Sequence, residues 1–378
     1  MRLPLTFDEA IRGLLHRAAP HLSVERIDPI PSVGVQQLYT VQLTDSSYIH
    51  LALPPPPGVR PLRCERGNVS AEVALLAWLS SERPAHDETK GASFSHSHLD
   101  YLEGFIPRVI QDGFPEFLLS DPCHGTTVAE VQTPFTNGEE KFIDYQAGRL
   151  FRRISCHVSP TGMFGYAEDI LRRNWQTQVQ EPTSPSDRGF PTWSKAFHLL
   201  LESALRDLED SCVQIEYGQV RAHFRRLGHL LDQVKRPSLV VLEAGESTNL
   251  VVSVPTECKD PRDHGGIRIT GLRDWSNCLF GDPLIAIIFA NEPSQDFLDG
   301  LGAPIGDLDP FKNVPIIQDE VHVSARLALY QSYHSLCGIA RQYRRPRDPE
   351  VDMELYWRKR LQSSLASLSN LDDDRNEV

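Results

Sequence analysis

The sequence predicts an α+β protein in two lobes: a small antiparallel-sheet lobe followed by a larger, mainly helical one. Three observations carry this. Apolar alternation over 38–43 and 48–53, split by the turn residues Thr44-Asp45-Ser46-Ser47, reads as a β-hairpin. From residue 139 the apolar period lengthens from two to that of a helix, in long stretches. Those helices are interrupted at 239–275, where short apolar runs flank polar turns.

The elements follow in order. Residues 5–18 carry Leu5, Phe7, Ile11, Leu14 and Leu15 at helical spacing, with Thr6 or Asp8 as a cap. Prolines punctuate 20–31, a connection. Gly34 stands before the first hairpin strand, where a glycine lets backbone N–H groups approach a phosphate; an ordinary turn glycine fits the same pattern. The prolines at 54–57 make an extended loop. Residues 70–79 read as a helix capped by Ser70, with Glu72 in the first turn, where the helix dipole favours a carboxylate. The polar stretch 82–100 holds His96 and His98, which have no acidic or cysteine ligand pattern attached and read as loop residues. A strand at 116–119 is stopped by Ser120-Asp121-Pro122.

In the helical part, 139–155 is amphipathic and 159–165 is a tight turn. The clearest helix is 193–212, with Phe197, Leu200, Leu201, Ala204, Leu205 and Leu208 along one face. Further helices are expected at 219–235, from 284, at 324–342 and at 352–368. An acidic connection spans 291–318, and a charged tail from about residue 370 is too poor in apolar residues to pack. The lobes divide as 1–122 and 123–378.

Composition narrows the function classes. The chain has 378 residues and a formal net charge of −13. An acidic surface argues against a nucleic-acid or anionic-membrane partner, because phosphate binding needs clustered Lys and Arg. No run approaches the roughly 20 apolar residues of a membrane span, and no signal peptide is visible. Seven cysteines without a CxxC pair read as reduced thiols of a cytosolic protein.

Chemistry concentrates in two turns. Residues 239–252 place Glu243, Glu246 and Asn249 between apolar runs. Downstream, Gly271-Leu272-Arg273-Asp274-Trp275 is followed by Gly281-Asp282-Pro283. They read as two hairpin-like arms presenting Glu243, Asn249 and Asp274 to one site, the spacing of a kinase catalytic loop and its metal-binding Asp.

The order of elements, the 239–252 loop and above all the Gly-Leu-Arg-Asp-Trp turn with its Phe280-Gly281-Asp282-Pro283 sequel resemble the aminoglycoside phosphotransferase and choline-kinase-like family, a branch of the protein-kinase-like fold. The resemblance runs from about residue 30 to about 345. It implies a bilobal kinase-like fold and ATP with Mg²⁺ between the lobes. It implies metal ligation by Asp274 and Asn249, and phosphate cover near Gly34. It implies a helix Glu at Glu72, an adenine-contacting hinge at Ser120, Asp121 and Pro122, and a hydroxylated small-molecule substrate. The acidic 291–318 segment would suit a cationic substrate.

Two positions depart from the family pattern. Ala52 stands where a cation should meet the phosphates, leaving Glu72 without its partner; Arg60 or Arg63 from the next loop is the available substitute. Ala244 stands where the catalytic Asp belongs, five residues before Asn249. Glu243 is one residue early and Glu246 two late, so either serves as base only if the loop is remodelled. The sequence therefore favours a phosphotransferase with weakened or altered chemistry. A pseudokinase-like binding protein comes second, and acid–base chemistry in a reused cleft third.

Overall fold

The computed structural model describes residues 7–31, 34–56, 58–65, 69–81, 102, 104–112, 117–171, 189–254, 266–305, 315–345 and 353–371. The histidine pair at 96 and 98 and the charged tail from 372 lie outside the described residues.

The N-terminal lobe is a five-stranded antiparallel sheet. It comprises β1 (Val24–Ile30), β2 (Gln37–Leu43), β3 (Tyr48–Leu53), β4 (Val109–Asp112) and β5 (Leu118–Ser120), in the order β1-β2-β3-β5-β4. The expected hairpin is β2–β3, with Gln42 opposite Tyr48. Its turn is fixed by Asp45, whose Oδ1 accepts from Ser47 N and Oγ at 2.9 and 2.6 Å. The proline-punctuated stretch supplies an additional edge strand, β1. Pro29 is tolerated there because an edge strand leaves one row of N–H groups unpaired.

Alternation sorts the two faces of the sheet. Tyr39, Val41, Ile49, Leu51 and Leu119 pack with Ile11 and Leu15 of α1 (Phe7–Ala18). Leu38, Ala52 and Leu118 face the other way, into the main core beneath α2 (Val69–Ser81). α2 is buried almost all round, so Glu72 is an interior group and not the surface dipole partner its position suggested.

The helical lobe begins with the short β6 (Thr126–Thr127). It continues through α3 (Asn137–Ser155), β7 (Gly165–Tyr166), α4 (Ala167–Leu171), α5 (Trp193–Asp210) and α6 (Tyr217–Leu227). α6 is shorter than expected, because the chain tightens into a 3-10 turn from Gly228. Next come β8 (Ser238–Val241), β9 (Leu250–Ser253), β10 (Arg268–Leu272) and β11 (Cys278–Gly281). The last elements are α7 (Ile287–Ala290), α8 (Gln295–Gly302), α9 (Val323–Arg344) and α10 (Met353–Asn370).

The expected hairpin-like arms are replaced by a different pairing. β8 and β9 belong to separate sheets: β8 pairs with β11, while β9 lies between β10 and β6. The loop 242–249 thus crosses from one sheet to the other. The acidic segment also contains a helix, α8, capped by Ser294, whose Oγ accepts from Phe297 N at 3.2 Å. α8 reaches α3 through glycine contacts. A Cβ on Gly300 would sit 2.0 Å from the Tyr145 carbonyl oxygen.

A buried polar group anchors the segment after β11. Asp282 accepts from Arg326 at 2.5 Å and from Tyr330 at 2.7 Å, and Tyr330 in turn accepts from the Trp193 indole at 2.7 Å. The lobes are joined by charge as well as packing. Arg63 donates from its backbone and guanidinium to Asp207 at 2.7 Å each, and Glu65 pairs with Arg341 at 2.8 Å. Arg63 and Arg60 line a pocket with Asp210, Tyr343 and Arg344 at the C-terminal ends of α5 and α9. They do not replace the cation absent at position 52, because Arg63 is committed to α5 and neither arginine lines the space beneath Ala52.

Candidate active site

Loop 242–249 is tightened by its own backbone: Ala244 N donates to Val241 O, and Asn249 N and Leu250 N both donate to Glu246 O. It is tied to the Asp274 turn by three bonds. Arg273 N donates to Asn249 O at 2.9 Å, Asn249 Nδ2 donates to Asp274 O at 3.0 Å, and Asp274 N donates to Asn249 Oδ1 at 2.8 Å. The structure therefore brings Asn249 and Asp274 together, with the Asn249 carboxamide spent on the backbone of its neighbour. Asp274 Oδ1 accepts from Ser276 N at 2.7 Å.

The missing cation has a neutral replacement. Gln36, just before β2 and beside the partly exposed Gly34, donates from Nε2 to Glu72 Oε2 at 2.8 Å; Trp275 N donates to Glu72 Oε1 at 3.3 Å. Burial, and then the nearby Asp274 carboxylate, push Glu72 up to about 8. Burial also raises Asp274. At neutral pH the Glu72 carboxyl is mostly protonated, as expected for two buried carboxyls in one site with no cation between them. Nothing in the sequence around Gln36 marks it for this position.

Position 244 is closed to chemistry. Ala244 is 1% exposed and packed in the core. Glu243 is 6% exposed, and its Oε1 accepts from Asn277 Nδ2 at 2.6 Å. Burial raises Glu243 to about 7, against the opposing pull of Arg341. Glu246 is half-buried and raised by burial, a shift that the nearby Asn291 side chain opposes.

A small cavity lies beneath the sheet. His50, Ala52 and Ser120 wall it from the strands, Glu72 from α2, and Cys123 and Arg273 from below. Its volume is about 20 Å³, room for a water molecule, whereas small-molecule sites run on the order of 300–1,000 Å³. Its cation, Arg273, was signalled by nothing except its place before Asp274. Its guanidinium grips Glu130 through two bonds of 2.6 and 2.5 Å, and this pair holds the Glu130 carboxyl down at about 2. Burial, with Arg273 nearby, lowers His50 to about 4, so its ring is neutral. Asp121 turns to Arg108, at 2.8 Å.

Fold and site together can be set beside known proteins. The sequence matches no family model and no curated protein. Solved structures align over nearly its whole length. A Thermobifida fusca YX-ER1 protein assigned as a fructosamine-3-kinase covers 96% of this chain and 99% of its own, at TM-score 0.54 and 14% identity. Aminoglycoside phosphotransferase APH(4)-Ia, solved with AMP-PNP and hygromycin B, covers 96% and 100%, at 0.54 and 15%. Macrolide 2′-phosphotransferase MphH from Brachybacterium faecium covers 96% and 99%, at 0.50 and 15%. The chain has the aminoglycoside phosphotransferase fold. It is a diverged example of that kinase-like architecture.

Within that fold, a magnesium nucleotide fits the residues present poorly. Mg²⁺ at such sites is held by one or two protein oxygens plus the phosphates. Asp274 offers an oxygen, and Asn249 Oδ1, which accepts from the Asp274 N–H, keeps one further lone pair. A triphosphate would find the Arg273 guanidinium in the cavity wall already neutralised by Glu130. Among the described residues no group of three acidic, histidine or cysteine side chains is placed to hold a metal, and no helix is long and apolar enough to cross a membrane.

Proposed function

We propose that this chain is a phosphotransferase-fold protein whose cleft does not transfer a phosphoryl group. The observation that carries the reading is the buried Ala244 at the base position, with Glu243 beside it bonded to Asn277. A general base must reach the attacking hydroxyl within hydrogen-bond distance; the Ala244 methyl offers no base, and Glu243 beside it is buried with its Oε1 held by Asn277. With Glu72 mostly protonated, Asp274 beside it and Arg273 engaged by Glu130, the interior supports a ligand that is neutral or cationic and carries hydroxyl or amino groups. It disfavours a polyanionic nucleotide.

The test is phosphate transfer from Mg·ATP to a panel of hydroxylated and amino-bearing acceptors, sugars and aminoglycosides included. No turnover above the Asp274→Ala background is expected. Transfer that Asp274→Ala abolishes would overturn the proposal.

One observation favours the alternative, ATP- and Mg²⁺-dependent phosphorylation of a metabolite. Asn249 and Asp274 are side by side, and Arg273 lies in the cavity wall. On that reading Glu246 is the available base, because it is more exposed than Glu243. Glu246→Gln would then cut the transfer rate by about 10²–10⁴-fold.

A further inference from the structure

Two thiols meet where the lobes join. Cys64 lies in the segment leading into α2, and Cys337 lies in α9. They are 273 positions apart in sequence, yet their Sγ atoms are 3.4 Å apart and both are buried. The flanking residues hold them there. On one side of Cys64, Arg63 donates from its backbone and side chain to the buried Asp207. On the other, Glu65 accepts from Leu62 N at 2.9 Å and pairs with Arg341 and Arg345. Arg341 stands one turn beyond Cys337 on the same face of α9. The two segments are therefore clamped together by ion pairs, and the sulfurs face each other as a consequence.

A disulfide requires an Sγ–Sγ distance of about 2.05 Å, an approach of roughly 1.4 Å from the present contact. Small side-chain rotations supply a movement of that size. We propose that Cys64 and Cys337 are an oxidisable pair, joined by a peroxide to form a covalent tie between the segment entering α2 and helix α9. In the first step one thiolate sulfur attacks a peroxide oxygen; the O–O bond breaks, water leaves and a sulfenic acid remains. The second sulfur then attacks the sulfenic sulfur and expels its hydroxyl as water. Two thiols and one hydrogen peroxide give one disulfide and two waters.

The surroundings set the pace of this reaction. The hydrogen bond shared with Cys337, then burial, hold the Cys64 thiol well above its ordinary range. Glu65 adds to that, Arg341 opposes it, and Tyr333 lies beside the pair. The thiolate is scarce at neutral pH, so the pair responds to sustained oxidation and faster as pH rises. Once formed, the tie fixes the approach of α2, and with it Glu72, to the helical lobe.

The experiment uses the full-length protein, reduced, then exposed to hydrogen peroxide and alkylated in denaturant for peptide mapping. A Cys64–Cys337 linked peptide is expected. Cys64 and Cys337 should lose their alkylatable thiols together, and the unfolding midpoint should rise by about 3–6 °C. Cys337→Ser and, separately, Cys64→Ser should abolish the linked peptide and the rise. Cys212→Ser, at an exposed position, should leave both intact. Full alkylation of Cys64 and Cys337 under exposure that oxidises Cys212 overturns the proposal. So does a link from either cysteine to another thiol.

Discussion

Asn249 separates two accounts of the cleft, and Asn249→Ala tells them apart. If the residue serves chiefly to hold a metal, removing its side chain should cost little in the ligand-free protein. The structure says otherwise. The carboxamide satisfies both the Asp274 N–H and the Asp274 carbonyl, at 2.8 and 3.0 Å, from a position only 2% exposed. Truncation leaves two partly buried backbone groups of Asp274 unpaired, each worth about 1–3 kcal/mol when buried, for a total of roughly 2–4 kcal/mol after relaxation. With an unfolding entropy of about 2.1 cal/mol/K per residue, a chain of 378 residues converts this to a midpoint drop of roughly 3–5 °C. The assay is calorimetric or fluorescence-monitored unfolding in EDTA, without nucleotide. A midpoint within 1 °C or so of the parent under those conditions would refute the reasoning.

Other consequences follow from the same buried groups. Glu72 has a folded value near 8 against an ordinary 4.5. Its contribution to stability is therefore complete below pH 4.5, shrinks through that interval and is lost above about 8; Glu72→Gln should flatten the decline in unfolding free energy across that window. Arg326→Leu leaves the fully buried Asp282 without its cation and should destabilise by about 3–5 kcal/mol in denaturant titration. Gly300→Ala drives a methyl into the Tyr145 carbonyl and should cost about 1–3 kcal/mol by separating α8 from α3, read by the same titration.

Much of the fold was legible because its signals are local. The β2–β3 hairpin announces itself by alternation and a turn, and α5 and α9 by apolar faces that are buried as drawn. β1 was hidden by its prolines, since edge strands tolerate what central strands do not. α8 was hidden by its acidic neighbours, although Ser294 capped it. The pairing of β8 with β11 was beyond the sequence's reach, because adjacency in the chain suggested β8 with β9 and only long-range packing decides otherwise.

The site divides in the same way. The spacing of Asn249 and Asp274 within two recognisable turns located that pair, and the register of Ala52 and Ala244 exposed what the site lacks. The partners came from elsewhere in the chain. Gln36 reaches Glu72 across 36 positions, Asn277 reaches Glu243 across 34, and Glu130 reaches Arg273 across 143. Each is an ordinary polar residue in an ordinary local context, and only the fold makes it the neighbour that neutralises or occupies a site group.

Calorimetric titration of Mg·ATP into the 378-residue chain tests most directly whether this fold works on a magnesium nucleotide. No saturable heat is expected up to millimolar nucleotide. Saturable binding with a submillimolar Kd, lost in Asp274→Ala, would contradict it.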